Sequence, residues 1–213
     1  MLNHQPSSVL AFHSCDLEVG LRVLLGIDSL KASSNDWDWL ADGIYFWEQN
    51  PERALKYAME CAEGKQKNKV KIKIPFVLGC LIDLGNCFNL TEATSIDALK
   101  RGYEDYVSLM NASGKKILQN KAANRQLDCA VIRYIHEVNK IENVTPYDTV
   151  RAAFSEGDPV YNTCAIWEQT HIQLAVRNES CIRGYFLPKP VTAYNPYLAD
   201  YIYDKLPILV NDL

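Results

Sequence analysis

The first stretch of apolar and polar positions predicts a strand followed by a helix. Residues 9–12 form a short apolar run that ends in His13, which is typical of a buried strand. Asp16 then precedes leucines that recur every three or four residues over 17–25, and aspartate is among the preferred N-cap residues. We therefore expect a strand ending near His13 and a helix starting after Asp16.

A second strand and helix follow a polar loop at 33–36. The segment Gly-Ile-Tyr-Phe-Trp at 43–47 has the aromatic and β-branched content of a buried strand. Asn50 and Pro51 combine a capping residue with a proline at the first helical position, which is typical of a helix start. This pattern predicts a strand and then a helix that runs to about Glu63.

The middle of the chain changes from strand to helix. Lysines alternate with Val and Ile over 69–74, a period of two that predicts a strand with one solvated and one buried face. The apolar run at 75–84 predicts a continuation of this strand or a second strand. Helical periodicity then covers 91–112 and 119–141, so this part of the chain is predicted to be largely helical.

The last third returns to strand patterns. Strands are predicted at 149–154, 170–176 and 181–187, and a terminal helix at 196–209. Strands at both ends with helices between them indicate an α+β protein and not repeated βαβ units. We predict a single domain over the whole chain, with a split antiparallel β-sheet core and a mainly helical insertion at about 91–142.

Composition and charge restrict the class of protein. The chain has 213 residues, of which 48% are apolar and 23% charged, which is ordinary for a folded globular protein. A net charge of −4 argues against binding that depends on covering phosphates with Lys and Arg. The sequence shows neither a signal-peptide pattern nor a long uncharged apolar run, so we expect a cytoplasmic protein without a membrane partner.

The cysteines and glycines restrict the chemistry. The seven cysteines are an odd number, and their spacing contains no Cys-x-x-Cys pair or His-rich cluster, so we expect reduced core residues and no metal. The chain also lacks the glycine-rich motifs of Rossmann and P-loop proteins. Any nucleotide must therefore be held in another way.

Three segments match the landmarks of a known family in order and in spacing. They are LAFHSCD at 10–16, WLADGIYFWEQNPERALKYA at 39–58 and IPFVLGCLIDLGNCFNL at 74–90. In this order they resemble a strand ending in His, a Gly-Ile-Tyr-Phe strand with its helix, and an apolar strand ending in Leu-Gly. These are landmarks of the poly(ADP-ribose) polymerase branch of the ADP-ribosyltransferases. The resemblance implies the fold of that superfamily, with NAD as the substrate.

The fourth landmark of that branch is a strand that bears a catalytic Glu. Aligned on QLAVRNESCI, it places Gln173 where the family has the Glu. The resemblance covers residues 9–90 and 168–187 and leaves the helical middle unaccounted for. The chain is also similar to uncharacterised bacterial proteins that share WLxxGIYFWExxPxRAL, an LDxAVI helix and a THIQ strand, which suggests a toxin-like or phage-defence transferase.

The resemblance assigns the binding of NAD to the first two segments. It implies that His13 hydrogen-bonds the adenosine ribose, that the backbone of Ser14 holds the nicotinamide amide, and that Tyr45 and Tyr57 sandwich the nicotinamide ring. Arg53 would reach the pyrophosphate. Each residue also has a structural interpretation: a core histidine, a core aromatic residue, or an arginine solvated on a helix face. Tyr57 lies one residue out of the family register, and the family prefers glycine at the position of Ser14.

The strand of Gln173 would carry the catalytic groups. An amide there can hydrogen-bond the ribose but supplies no charge, so we expect transfer of single ADP-ribose units and no chain elongation. His171 lies two residues earlier on the same face and is a candidate acceptor-side group or general base; it is equally well a structural histidine. Glu156 and Glu168, in the preceding loop, are candidates to replace the missing carboxylate.

A row of lysines precedes the third segment. It could contact a polyanionic acceptor such as RNA, but such a row is more often the solvated face of an edge strand. Its members are Lys67, Lys69, Lys71 and Lys73.

The sequence therefore predicts a mono-ADP-ribosyltransferase that uses NAD, with catalytic residues His13, Tyr45, His171 and Gln173. The partners are NAD and a macromolecular acceptor, either protein or nucleic acid; an antitoxin as a further partner is left open. The alternatives are an NAD glycohydrolase, an RNA 2'-phosphotransferase, and a catalytically degenerate module that binds NAD or another protein.

Overall fold

The structure, a computed structural model, describes residues 8–66, 71–121 and 124–205. In this part of the chain it is a mixed α+β protein with seven strands in a mostly antiparallel sheet and six α-helices, as the α+β pattern predicted. The strands are β1 (Ser8–Asp16), β2 (Ile44–Glu48), β3 (Pro75–Asp83), β4 (Cys87–Asn89), β5 (Thr149–Phe154), β6 (His171–Val176) and β7 (Ile182–Phe186). The helices are α1 (Leu17–Leu24), α2 (Pro51–Ala62), α3 (Ala93–Ala112), α4 (Gln126–Ile141), α5 (Val191–Tyr194) and α6 (Leu198–Lys205).

Two helix starts form through the capping residues that the sequence indicated. The Asp16 carboxylate accepts a hydrogen bond from the backbone N–H of Glu18 at the start of α1. The Asn50 side chain accepts one from the backbone N–H of Arg53 at the start of α2, with Pro51 in the first turn. Each side chain satisfies an amide that the helix itself leaves without a partner.

The prediction of a strand over 69–74 is wrong for residues 71–74, which precede β3 as irregular chain. The backbone amides of Lys73 and Ile74 donate to the Asp16 carboxylate, at 2.7 and 3.2 Å, and therefore make no ladder hydrogen bond. Of the lysine row, Lys71 and Lys73 are exposed. Lys67 and Lys69 lie outside the described residues.

The strand order in the sheet is β4-β5-β6-β2-β1-β3-β7. β5 and β6 pair antiparallel over six residues, and β4 runs parallel to β5. β1 and β2 pair antiparallel, with Phe12 opposite Trp47. The strand of Gln173 therefore neighbours β2, and β2 neighbours the strand of His13.

The chain divides into two compact units. Among the described residues, unit 1 contains 8–9, 31–45 and 83–182, and its core includes Phe88, Ile132 and Val150, with α3 and α4 supplying much of the packing. Unit 2 contains residues 10–30, 46–82 and the chain from 183. β2 begins in unit 1 and ends in unit 2. The prediction of a single domain with a helical insertion stays a prediction.

Unit 2 has its own core. Phe12, Trp47, Ala54 and Val77 form a buried cluster in which α2 packs on the strands. The buried Asn195 side chain accepts from the backbone N–H of Val77 at 2.7 Å and donates to the Val77 carbonyl oxygen at 3.0 Å. One amide side chain therefore ties the segment after α5 to β3.

Candidate functional site

Gln173 and His171 lie on the same face of β6. In the β5–β6 register, Gln173 is opposite Ala152 and His171 is opposite Phe154, both of which belong to the packed cluster of unit 1. The Gln173 side chain therefore faces that cluster and is half-buried. Its Oε1 atom is out of contact with solvent and has no hydrogen-bond partner among the described residues. A buried acceptor without a donor is uncommon in folded proteins and calls for an explanation.

His171 is buried and hydrogen-bonded to its own loop. Its Nδ1 atom lies 2.7 Å from the carbonyl oxygen of Gln169 and 3.7 Å from Glu156 Oε2. Because a carbonyl oxygen only accepts, Nδ1 carries a proton, and in the neutral ring Nε2 holds the lone pair. Of the two candidate carboxylates, the structure thus places Glu156 beside His171, whereas Glu168 is exposed.

Aromatic side chains extend this part of unit 1. The ring of Phe154 lies 6.1 Å from the His171 ring, and the edge-on contact between Trp39 and Phe154 has a centroid distance of 4.7 Å. The guanidinium of Arg125 lies over Trp39, 5.4 Å from the ring centroid. The sequence interpretation missed Trp39, Phe154 and Arg125. Only the strand register would have indicated Phe154, because it sits opposite His171.

Tyr45 uses its hydroxyl group inside unit 1. The phenol oxygen accepts from the backbone N–H of Leu40 at 2.9 Å and donates to the carbonyl oxygen of Ala41 at 2.7 Å. Burial raises the pKa of this hydroxyl above its ordinary value. The ring packs against the core cluster of unit 1. The hydroxyl thus has a structural role, and stacking of the ring on nicotinamide stays a prediction.

The glycine before β2 allows two strands to approach. A Cβ atom on Gly43 would lie 3.0 Å from the carbonyl oxygen of Val176 and 3.2 Å from Ala175 Cβ, closer than ordinary van der Waals contact. Gly43 therefore lets the start of β2 lie directly beside the end of β6. Close packing within unit 1 thus explains why a glycine stands at position 43.

The other predicted NAD-binding residues lie in unit 2. The imidazole of His13 packs on Phe46, with a centroid distance of 5.5 Å. The Ser14 hydroxyl donates to the carbonyl oxygen of Ala54 and ties β1 to α2. The guanidinium of Arg53, which is 8% exposed, lies 5.9 Å from the Tyr57 ring centroid.

Unit 2 brings only part of this set together. Arg53 and Tyr57 both contact Trp47, at 5.6 and 5.0 Å between the guanidinium carbon or ring centroid and the indole centroid. Phe46 and Trp47 are consecutive in β2 and point to opposite faces, so His13 lies on the other face of that strand from Arg53 and Tyr57. Packing on Trp47 accounts for these two residues, and their roles toward NAD stay predictions.

The part of the chain that the structure describes holds no group of three His, Cys, Asp or Glu side chains arranged to bind a metal ion. None of its helices is long and apolar enough to cross a membrane. No protein-family model, no curated protein and no solved structure matches this chain.

Proposed function

We propose that this chain is an NAD-dependent mono-ADP-ribosyltransferase of the ADP-ribosyltransferase fold, which transfers ADP-ribose from NAD to a macromolecular acceptor. The observation that carries the proposal is the buried Oε1 atom of Gln173, which has no donor among the described residues. Its position in the sequence is the one where the resembled family has its catalytic Glu. A hydroxyl group of the nicotinamide ribose would supply the missing hydrogen bond.

In the proposed reaction the side-chain amide of Gln173 has only to hold the ribose in position. The bond between the ribose carbon and nicotinamide breaks, the electron pair leaves with nicotinamide, and positive charge develops on the ribose. A neutral amide oxygen that accepts a hydrogen bond from a ribose hydroxyl orients the sugar and places the negative end of a dipole toward this charge. Gln173 is thus proposed to position the ribose and not to supply a charge.

His171 and Glu156 are proposed to handle the proton of the acceptor. As the acceptor nucleophile forms its bond to the ribose carbon, its proton passes to the Nε2 lone pair of His171. The Glu156 carboxylate, 3.7 Å from Nδ1, stabilises the resulting imidazolium. The hydrogen bond from Nδ1 to Gln169 fixes the ring in the tautomer that this step requires.

Transfer of labelled NAD to a cell lysate tests the proposal directly. After incubation, portions are treated with protease or with nuclease and the label is followed. Label in protein or in nucleic acid supports the transferase and identifies the acceptor class. Label only in free ADP-ribose would show an NAD glycohydrolase. Cleavage of no NAD at all would contradict the proposal.

Substitution of Gln173 tests the role proposed for its buried Oε1 atom. We expect Gln173→Ala to weaken NAD binding only a few-fold, since a neutral hydrogen bond contributes about 0.5–1.5 kcal/mol. Turnover should fall by about 10² to 10³, as for other preorganised groups that act on developing charge. Gln119→Ala is the matched control, because Gln119 is exposed. Unchanged transfer and unchanged NAD hydrolysis in Gln173→Ala would contradict the role of Gln173.

Gln173→Glu separates two versions of the site. If the site only lost its carboxylate, the restored charge should raise NAD cleavage. If the site is built around the amide, an added negative charge should leave cleavage unchanged or lower it. His13→Ala and Tyr45→Ala test the roles that the resemblance implies, with NAD affinity measured by calorimetry on folded variants.

A second candidate is a module that binds NAD without cleaving it. The amide of Gln173 favours this candidate, because a neutral hydrogen bond stabilises a developing charge less than a charge-assisted one does. The two candidates differ in one result: the module would bind NAD with measurable affinity while nicotinamide release stays at the rate of the buffer alone.

A further inference from the structure

We infer that the guanidinium of Arg125 binds a phosphate group of a nucleotide ligand. The inference rests on the proposed function for the identity of that nucleotide, but not for the existence of the phosphate site. It assigns to Arg125, in unit 1, a role that the sequence interpretation gave to Arg53.

The Arg125 side chain packs on an aromatic ring and has one buried donor that makes no hydrogen bond to the described residues. It lies on the face of Trp39, 5.4 Å from the ring centroid, and its Nε atom is out of contact with solvent. This Nε atom has no hydrogen-bond partner among the residues that the structure describes. A solvated surface arginine donates hydrogen bonds to water. Here the Nε donor is covered by the protein and makes no hydrogen bond in place of the one to water.

The start of α4 does not use the side chain of Arg125 for capping either. α4 begins directly after Arg125, and the amides of Leu127 and Asp128 donate to the side-chain oxygen of Asn120. The Asp128 carboxylate accepts from Asn120 Nδ2 at 2.7 Å. Asn120 therefore caps the helix and engages its first acidic side chain, and the arginine is left for another anion.

A phosphate group suits this arginine better than a small anion does. Guanidinium groups bind phosphate oxygens through two parallel N–H donors, and stacking on an aromatic ring holds the fork in one orientation. Trp39 provides that ring and is itself held edge-on against Phe154. The side chain is thus preorganised for a planar, bidentate contact.

The position of Trp39 connects this cation to the proposed catalytic strand. Phe154, which Trp39 contacts, lies opposite His171 in the β5–β6 register, and Gln173 is two residues further along β6. Arg125 and Gln173 thus belong to one connected group of side chains in unit 1, on which we place the phosphate and the ribose of one nucleotide. The phosphate can belong to the pyrophosphate of NAD or to a nucleotide of the acceptor.

Binding of ADP-ribose and of inorganic pyrophosphate to single variants tests the site. We expect Arg125→Ala to weaken binding of both compounds by about ten- to hundredfold, the usual effect of losing hydrogen bonds to a charged group. Arg125→Lys should recover part of the loss, because it keeps the charge without the planar fork. Nicotinamide riboside, which has no phosphate, should bind both proteins equally. Arg101→Ala is the control, since Arg101 is an exposed arginine on α3.

Three other outcomes of the Arg125→Ala experiments would have different meanings. If ADP-ribose and pyrophosphate bind Arg125→Ala normally but transfer to the acceptor falls while transfer to water is unchanged, the phosphate belongs to the acceptor and the inference holds. If pyrophosphate binding depends on Arg125 while the protein cleaves no NAD, the proposed function fails and the phosphate site stands. Binding and transfer that are equal in Arg125→Ala and the unaltered protein, with identical thermal melts, would overturn the inference.

Discussion

Acidification is expected to destabilise this protein through one buried histidine. His136 lies in α4, is 9% exposed, and packs edge-on against Tyr147 with a centroid distance of 5.9 Å. Its Nε2 atom is buried without a hydrogen-bond partner among the described residues. Burial, assisted by the positive charge of Arg177 and opposed by Asp42, lowers the pKa of His136 from 6.5 to about 3. The ring is therefore neutral in the folded protein at neutral pH.

The size of the effect follows from the two pKa values. The unfolded chain binds a proton at this histidine below pH 6.5, whereas the folded chain does not until about pH 3. The stabilising contribution is thus complete above pH 6.5 and is lost as the pH falls toward 3. One pKa unit corresponds to about 1.4 kcal/mol, so acidification from pH 7.5 to 5 costs about 2 kcal/mol through this group. Any folded-state pKa below 4 gives nearly the same value at pH 5.

Urea unfolding at pH 7.5 and pH 5.0 measures this contribution. The free energy of unfolding of the unaltered protein should fall between the two pH values by about 2 kcal/mol more than that of His136→Gln, whose side chain does not titrate. Both proteins share every other titrating group, so the difference isolates His136. A loss on acidification that is the same in both proteins would refute a buried neutral histidine.

Two further substitutions test packing within unit 1. Gly102→Ala should destabilise the protein by about 1–3 kcal/mol, because the added Cβ would lie 2.4 Å from Ile135 Cγ1; Gly184→Ala, with open space around its Cβ, should be neutral in the same thermal melts. Arg133→Lys should destabilise by about 1–3 kcal/mol, because it removes the two-nitrogen contact to Asp42 and leaves backbone carbonyl groups of the 33–42 loop without their donor. Limited proteolysis should then cut this loop faster; an unchanged cleavage rate would contradict its anchoring by Arg133.

Local sequence signals were sufficient for most elements of the fold. The strands around His13 and Gln173 and the helix starts at Asp16 and Asn50 follow from alternation, periodicity and capping chemistry, all of which act between neighbouring residues. The errors arose where a distant group intervened. The apparent strand at 71–74 is irregular because its amides donate to Asp16, a partner more than fifty positions away in the sequence.

Local sequence signals predicted even less of the candidate site than of the fold. Strand patterning placed His171 and Gln173 on one strand and period-two alternation placed them on one face, whereas the resemblance singled out Gln173. No local signal indicated that Trp39 would lie on Phe154, or that Arg125 would lie on Trp39, because these contacts join three segments far apart in the chain. Such contacts depend on the register of β5 against β6 and on the placement of α4.

The helical middle of the chain, which the resemblance did not explain, acquires a specific role from these contacts. α4 and the residue before it contact the 33–42 loop at two points: Arg133 binds Asp36 and Asp42, and Arg125 covers Trp39. The same loop supplies both hydrogen-bond partners of the Tyr45 hydroxyl. Because one rigid helix fixes the loop at two places, the position of Trp39 is set by the packing of α4. Perturbation of α4 should therefore impair phosphate binding at Arg125 even where the strands of the sheet are left intact.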